Sequence, residues 1–155
     1  MLRKILLIIY VSFFILHPFS EVYALNRWTD FTGTWNGEGK IIVSWCEQKQ
    51  LSFELQIGMD GNVSGEIGNA HIRHGEIKLN NIIYRWLGNK KFIIDAELSN
   101  FLIEKEKIKR DSIRIFLNFE RPFLEGGFHT SGSKFGGKEK MILSGSGLKL
   151  IKIMK

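Results

Sequence analysis

Along residues 51–57 apolar and polar side chains alternate strictly, with Leu51, Phe53, Leu55 and Ile57 set against Ser52, Glu54 and Gln56. A period of two sends the two sets to opposite faces of an extended chain, so this segment predicts a strand with one buried and one solvated face. Asp60-Gly61 follows, a dipeptide suited to the positive backbone angles of a tight turn, and Val63, Gly65 and Ile67 resume the alternation. Residues 50–67 therefore read as a hairpin. Ile113, Ile115, Leu117 and Phe119 repeat the pattern against Ser112, Arg114, Phe116 and Asn118, which leaves one extra aromatic on the second face. Arg121-Pro122 ends that run, because proline cannot donate to a sheet ladder.

Less regular apolar runs cover residues 40–46, 70–79, 91–98, 123–128, 140–143 and 148–153, which brings the count to nine candidate strands. Gly145-Ser146-Gly147 reads as the turn of a hairpin between the last two. The spacing is that of an antiparallel meander, in which successive strands are neighbours. A sheet of this size must stack on itself or close, and closure removes the exposed edges. The predicted class is all-β, an up-and-down barrel of about eight strands, with a β-sandwich as the alternative arrangement. Two stretches fall outside the strand pattern. Residues 104–111, Glu-Lys-Glu-Lys-Ile-Lys-Arg-Asp, read as a solvated hairpin end, and residues 26–31 are placed to cover one end of the barrel with Trp28 and Phe31.

The first 24 residues carry a different pattern. Arg3 and Lys4 precede an apolar run from Ile5 to Leu16, His17-Pro18 ends it, and Val22-Tyr23-Ala24 supplies the small residues of a cleavage site. This is the layout of a secretory signal peptide, and the run is shorter than the roughly 20 residues that a spanning helix needs. Cleavage after Ala24 is expected to leave one domain, residues 25–155, exported to the periplasm or the medium. The 131 residues that remain hold 20 basic and 15 acidic side chains, a net charge of +5. The excess is spread along the chain without a basic stripe interleaved with stacking aromatics, so nucleic acid is not expected as a partner. Cys46 is the single cysteine, which excludes an internal disulfide, and it does not follow the cleavage point as a lipid anchor would. It reads as a buried strand cysteine.

Gly33-Thr34-Trp35 opens the first strand, with Gly37 and Gly39 just beyond. This triplet resembles the opening of the calycins, the group of lipocalins, avidins and fatty-acid-binding proteins. The resemblance rests on Gly33 and Trp35. It implies a barrel in which Trp35 packs across one end, under a basic side chain from a late strand, for which this chain offers Lys149 and Lys152.

No pattern in the chain points to catalysis. His71 and His74 are three apart, and on a regular strand they face opposite ways, so no metal site is expected. Thr130 to Lys138 resembles a phosphate loop in composition, yet no helix follows it, and a hairpin connection is the expected role. Gly145-Ser146-Gly147 lacks the spacing of a nucleophile elbow. Glu54, Glu66, Glu76, Asp95 and Glu97 are scattered along strands. Tyr84, Trp86 and Phe92 lie beside Arg85, Lys90 and Lys91, the ingredients either of a binding surface or of a core hairpin. The expectation is a small exported barrel that binds an apolar small molecule, with Trp35, Phe53, Leu55, Tyr84, Trp86 and Phe92 as candidate ligand contacts and no cofactor. The alternative is a protein-interaction module, such as an inhibitor of a hydrolase or protease, with an envelope or extracellular protein as partner.

Overall fold

The computed structural model describes residues 29–79, 91–120, 122–132 and 143–153. Among them the chain is all β. Eight strands form the barrel: β1 (Gly33–Ile41), β2 (Gln50–Ile57), β3 (Asn62–Ile67), β4 (Ala70–Leu79), β5 (Lys91–Ser99), β8 (Ser112–Glu120), β9 (Phe123–Ser131) and β10 (Ser144–Ile153). Two short strands, β6 (Phe101–Ile103) and β7 (Ile108–Lys109), pair with each other between β5 and β8. Every barrel strand is antiparallel to its sequence neighbour, and β1 closes the circle against β10. The predicted up-and-down barrel is thus the observed fold, and the sandwich is excluded by the β1–β10 ladder.

The alternation read from the sequence is the alternation of the walls. Leu51, Phe53, Leu55 and Ile57 point inward at 0–2% exposure, as do Ile113, Ile115 and Leu117, while Phe119 packs against the core from a partly buried position. The turn at Asp60-Gly61 is also as predicted, with Gly61 at φ +85° and the Asn62 amide donating to the Asp60 carboxylate at 3.0 Å.

The strand assignments fail where the period breaks. The first strand is Gly33–Ile41 and ends five residues before the predicted end at Cys46, since the chain turns at Ser44-Trp45 instead of continuing the ladder. Cys46 is buried as expected, but in this turn segment and not on a strand. Gly145-Ser146-Gly147 does not turn a hairpin. It lies inside β10, which carries one residue more than β1 and β9 there, and the bulge takes up the surplus with Gly147 at φ +60°. Of the predicted strand at residues 140–143, only Leu143 is described, and it precedes β10. A second bulge in β4, at His74 (φ +49°), adds one residue against β3 and β5 and turns both His71 and His74 to the solvent face. Strict alternation had separated them.

The barrel ends follow from the meander. At one end lie the start of β1, the β2–β3 turn and the end of β10; at the other lie the β1–β2 connection, Gly68-Asn69 and the β6–β7 hairpin. Phe31 covers the first end as the sequence suggests, packed on Phe92 and Phe119 with ring centroids 4.1 and 4.9 Å away. Its carbonyl accepts a hydrogen bond from the Trp35 indole at 2.7 Å. Trp28 lies outside the described residues.

The interior is filled. Trp35, Phe92, Phe128, Leu55, Ile94, Ile115 and their neighbours have under 2% or about 2% of their surface accessible, so no water-sized space lies against them. Phe128 shows how closely. Its ring meets Phe53 at a centroid distance of 5.1 Å and occupies the place that a Cβ on Gly145 would take. Replacing Gly145 with valine is therefore expected to lower stability by about 1–3 kcal/mol through overpacking, and Trp35→Ala by about 3–5 kcal/mol through the cavity it leaves, both checked by urea unfolding.

Candidate functional site

Four of the six candidate ligand contacts face the interior. Trp35 and Leu55 are register partners across β1 and β2, Phe53 packs on Phe128, and Phe92 packs on Phe31. They belong to one packed core and line no open space. Tyr84 and Trp86 lie outside the described residues.

Lys152 lies over the indole of Trp35, its ammonium 5.7 Å from the ring centroid, and donates to the Asp30 carbonyl at 3.4 Å. Gly33 leaves room for its stem: a Cβ there would sit 3.0 Å from the Lys152 Cε, and the backbone at φ +126° favours glycine. Lys149, the other cation considered, points outward over Phe123 at 3.8 Å and pairs with Glu125.

The opposite end is closed by the β6–β7 hairpin. Leu102 and Ile103 are inserted at 0% and 2% exposure, a burial that contributes roughly 3–6 kcal/mol for the pair. Polar groups tie it down. Glu106 accepts from the Gln48 amide at 2.9 Å and from the Cys46 thiol at 3.4 Å, and Glu104 accepts from the Asn69 side chain at 2.9 Å. Burial first, and then the Glu106 carboxylate, push the Cys46 thiol up to about 11, so at neutral pH it is a thiol with little nucleophilic character. The Gln48 amide and the Cys46 thiol in turn hold Glu106 below the usual carboxylate range.

The outer wall carries an open groove of about 840 Å³ across β4, β5, β8 and β9. Register builds it. Glu76, Asp95, Arg114, His129 and Ser144 are successive Cα partners on five neighbouring strands, all on the outer face. Arg114 grips Asp95 with two hydrogen bonds of 2.6 and 3.1 Å, and Lys78 pairs with Glu76 at 2.9 Å. These pairs are solvent-exposed, so each adds at most about 1 kcal/mol to stability. His129 shares a hydrogen bond with the Ser144 hydroxyl at 2.8 Å and meets the Phe116 ring edge-on at 5.5 Å. One row along, the hydroxyls of Ser112 and Ser131 bond to each other. Gly127, the register partner of Phe116, contributes no side chain, which leaves the ring half-exposed in the groove.

The groove was not legible as a unit in the sequence, although its parts were. Phe116 stood out as the aromatic on the polar face, and Glu76, Asp95 and Glu97 as scattered carboxylates. Their outward parity was readable, and only the ladder register brings them together. His71 pairs with Glu66 at 3.0 Å, and no group of three ligating side chains that could hold a metal occurs among the described residues. Comparison of the chain with family models, curated proteins and solved structures finds no match.

Two measurements check the closed end. Cys46 should react with a thiol reagent only as fast as the chain opens, and rapidly in urea. Glu106→Gln should lower stability at neutral pH, and the gap from the wild type should close in acid. A carboxylate whose folded pKa is lowered contributes stability that is present above its ordinary value of 4.5 and is lost as pH falls through the folded value. Urea midpoints of both chains between pH 7 and pH 3 read this out, the range following from the carboxylate values.

Proposed function

We propose that this chain is a small exported binding protein of calycin-like construction that engages its partner on the outside of the barrel. The observation that carries this reading is the division between an interior packed among the described residues and a concave outer wall that bears charged and hydroxyl side chains beside apolar surface. Among the described residues the largest inward side chains, Trp35, Phe92 and Phe128 with Leu55, Ile94 and Ile115, are at most about 2% accessible, whereas the groove over β4, β5, β8 and β9 has the volume of a small-ligand site, which is typically about 300–1,000 Å³. The likeness to calycins is supported by the eight-stranded closed meander, by Gly33 and Trp35 at the opening of β1, and by Lys152 over the Trp35 ring. Export is supported by the signal-like residues 1–24.

An interaction module is thereby favoured over a carrier of apolar molecules. A ligand inside the barrel would have to displace Leu55, Ile94, Phe92 or the plug residues Leu102 and Ile103. Among the described residues the His129 imidazole is paired with the Ser144 hydroxyl, and its register partner on β8 is Arg114.

Three outcomes follow. The mature chain recovered from its host should begin at Leu25 by mass spectrometry. It should give no fluorescence enhancement with an apolar probe such as anilinonaphthalene sulfonate. Envelope or medium material retained on the immobilised chain should be released when the groove carries Glu97→Arg with Phe116→Ala, thermal stability being unchanged within a few degrees. Strong probe uptake by the native chain would place the ligand inside and overturn the proposal.

A further inference from the structure

We infer that the outer groove is a site for a neutral, polyhydroxylated ligand, a carbohydrate chain; this names the partner chemistry and rests on the reading of the outer wall as the binding face. Charge narrows the class first. Among the described residues the lining carries three carboxylates, Glu76, Asp95 and Glu97, against the two cations Lys78 and Arg114, on a chain whose overall charge is +6. Four of these five groups are already paired within the wall, Arg114 with Asp95 and Lys78 with Glu76. A phosphate or polyanion would therefore meet a slight excess of negative charge among these lining residues, and a nucleic acid is disfavoured for the same reason.

Backbone geometry narrows it further. Every barrel strand is paired on both sides, so an extended peptide has no free sheet edge to join, and main-chain strand addition is unavailable to it on this wall. What the wall presents is side chains alone, and their type is specific. Planar donors and acceptors at Asp95, Arg114 and Glu97 sit beside the hydroxyls of Ser112 and Ser131, around the half-exposed ring of Phe116. Neighbouring hydroxyls of a sugar ring present paired donors and acceptors at the spacing of a carboxylate or guanidinium fork, and the C–H face of the same ring is apolar and flat enough to lie on a phenyl group. Fixed pairing within the wall keeps these groups oriented before the ligand arrives, so little ordering remains to be done on binding.

Two features hold the concavity open. Gly127 opposite Phe116 leaves the ring partly exposed, and the His74 bulge swings a further side chain to the rim of the groove. Glu97 makes no ion pair or hydrogen bond among the described residues, which leaves its carboxylate to accept from ligand hydroxyls. Phe116 is assigned as the stacking residue, with Glu97 as the free acceptor.

Calorimetric titration of the exported chain with neutral oligosaccharides, cellohexaose, maltohexaose and chitohexaose, tests the assignment, with polygalacturonate as the anionic control. At least one neutral chain should bind with submillimolar affinity, and the anionic polymer should bind more weakly or not at all. Phe116→Ala should weaken the binding about ten-fold or more, and Glu97→Gln several-fold, with both variants folded by circular dichroism. If no neutral oligosaccharide binds at millimolar concentration while the doubly substituted groove still releases the retained envelope material, the ligand class is overturned and outer-wall binding stands. If a neutral oligosaccharide binds but neither substitution weakens it, the site assignment is overturned. If the substituted groove releases nothing, both proposals fall.

Discussion

Closure of eight antiparallel strands is the constraint from which the rest of the molecule follows. A barrel of that number is wide enough only for its own inward side chains or for one small molecule, and here the aromatic residues take the space. The same closure satisfies every strand edge, so the wall offers no backbone hydrogen bonds to a partner. On the proposed reading, both consequences push recognition outward, onto side chains at the solvent-facing parity of the strands. With one cysteine and no disulfide to form, packing has to hold the barrel, and Trp35, Phe128 and the sealed ends are where it is densest.

The two ends are closed by different means. At the β1 start, aromatic rings and a lysine stack on one another, with Phe31 locked by the Trp35 indole. At the other end a hairpin drops two aliphatic side chains into the mouth and is tied by carboxylates to neighbouring loops. The first closure rests on aromatic packing with a cation over the indole. The second has an ionisable tie, so acid weakens that end first.

Much of the fold was readable because the strands 51–57 and 113–119 alternate without interruption, and parity alone then assigns the inward residues. Parity fails at an inserted residue. The bulges at His74 and at Ser146-Gly147 each shift one residue relative to the neighbouring strands, and a single sequence holds no record of what those neighbours do. This is why two histidines expected on opposite faces share one, and why a glycine-rich triplet expected to turn lies within a strand. The groove was hidden for the same reason. Glu76, Asp95, Arg114 and His129 are spread over more than fifty residues, and only the register of three ladders makes them neighbours. Trp35 and Phe53 were prominent in the sequence because they are large and apolar, which is also what a core requires.

Binding on the outer wall is tested most directly by side-chain nuclear magnetic resonance of residues 25–155 during titration with envelope material from the host. Outer-wall recognition predicts that the Phe116 ring and His129 imidazole signals move while the methyl groups of Leu55, Ile94 and Leu117 stay in place. Shifts concentrated in those inward methyl groups, with Phe116 and His129 unmoved, would contradict it and put the ligand inside the barrel.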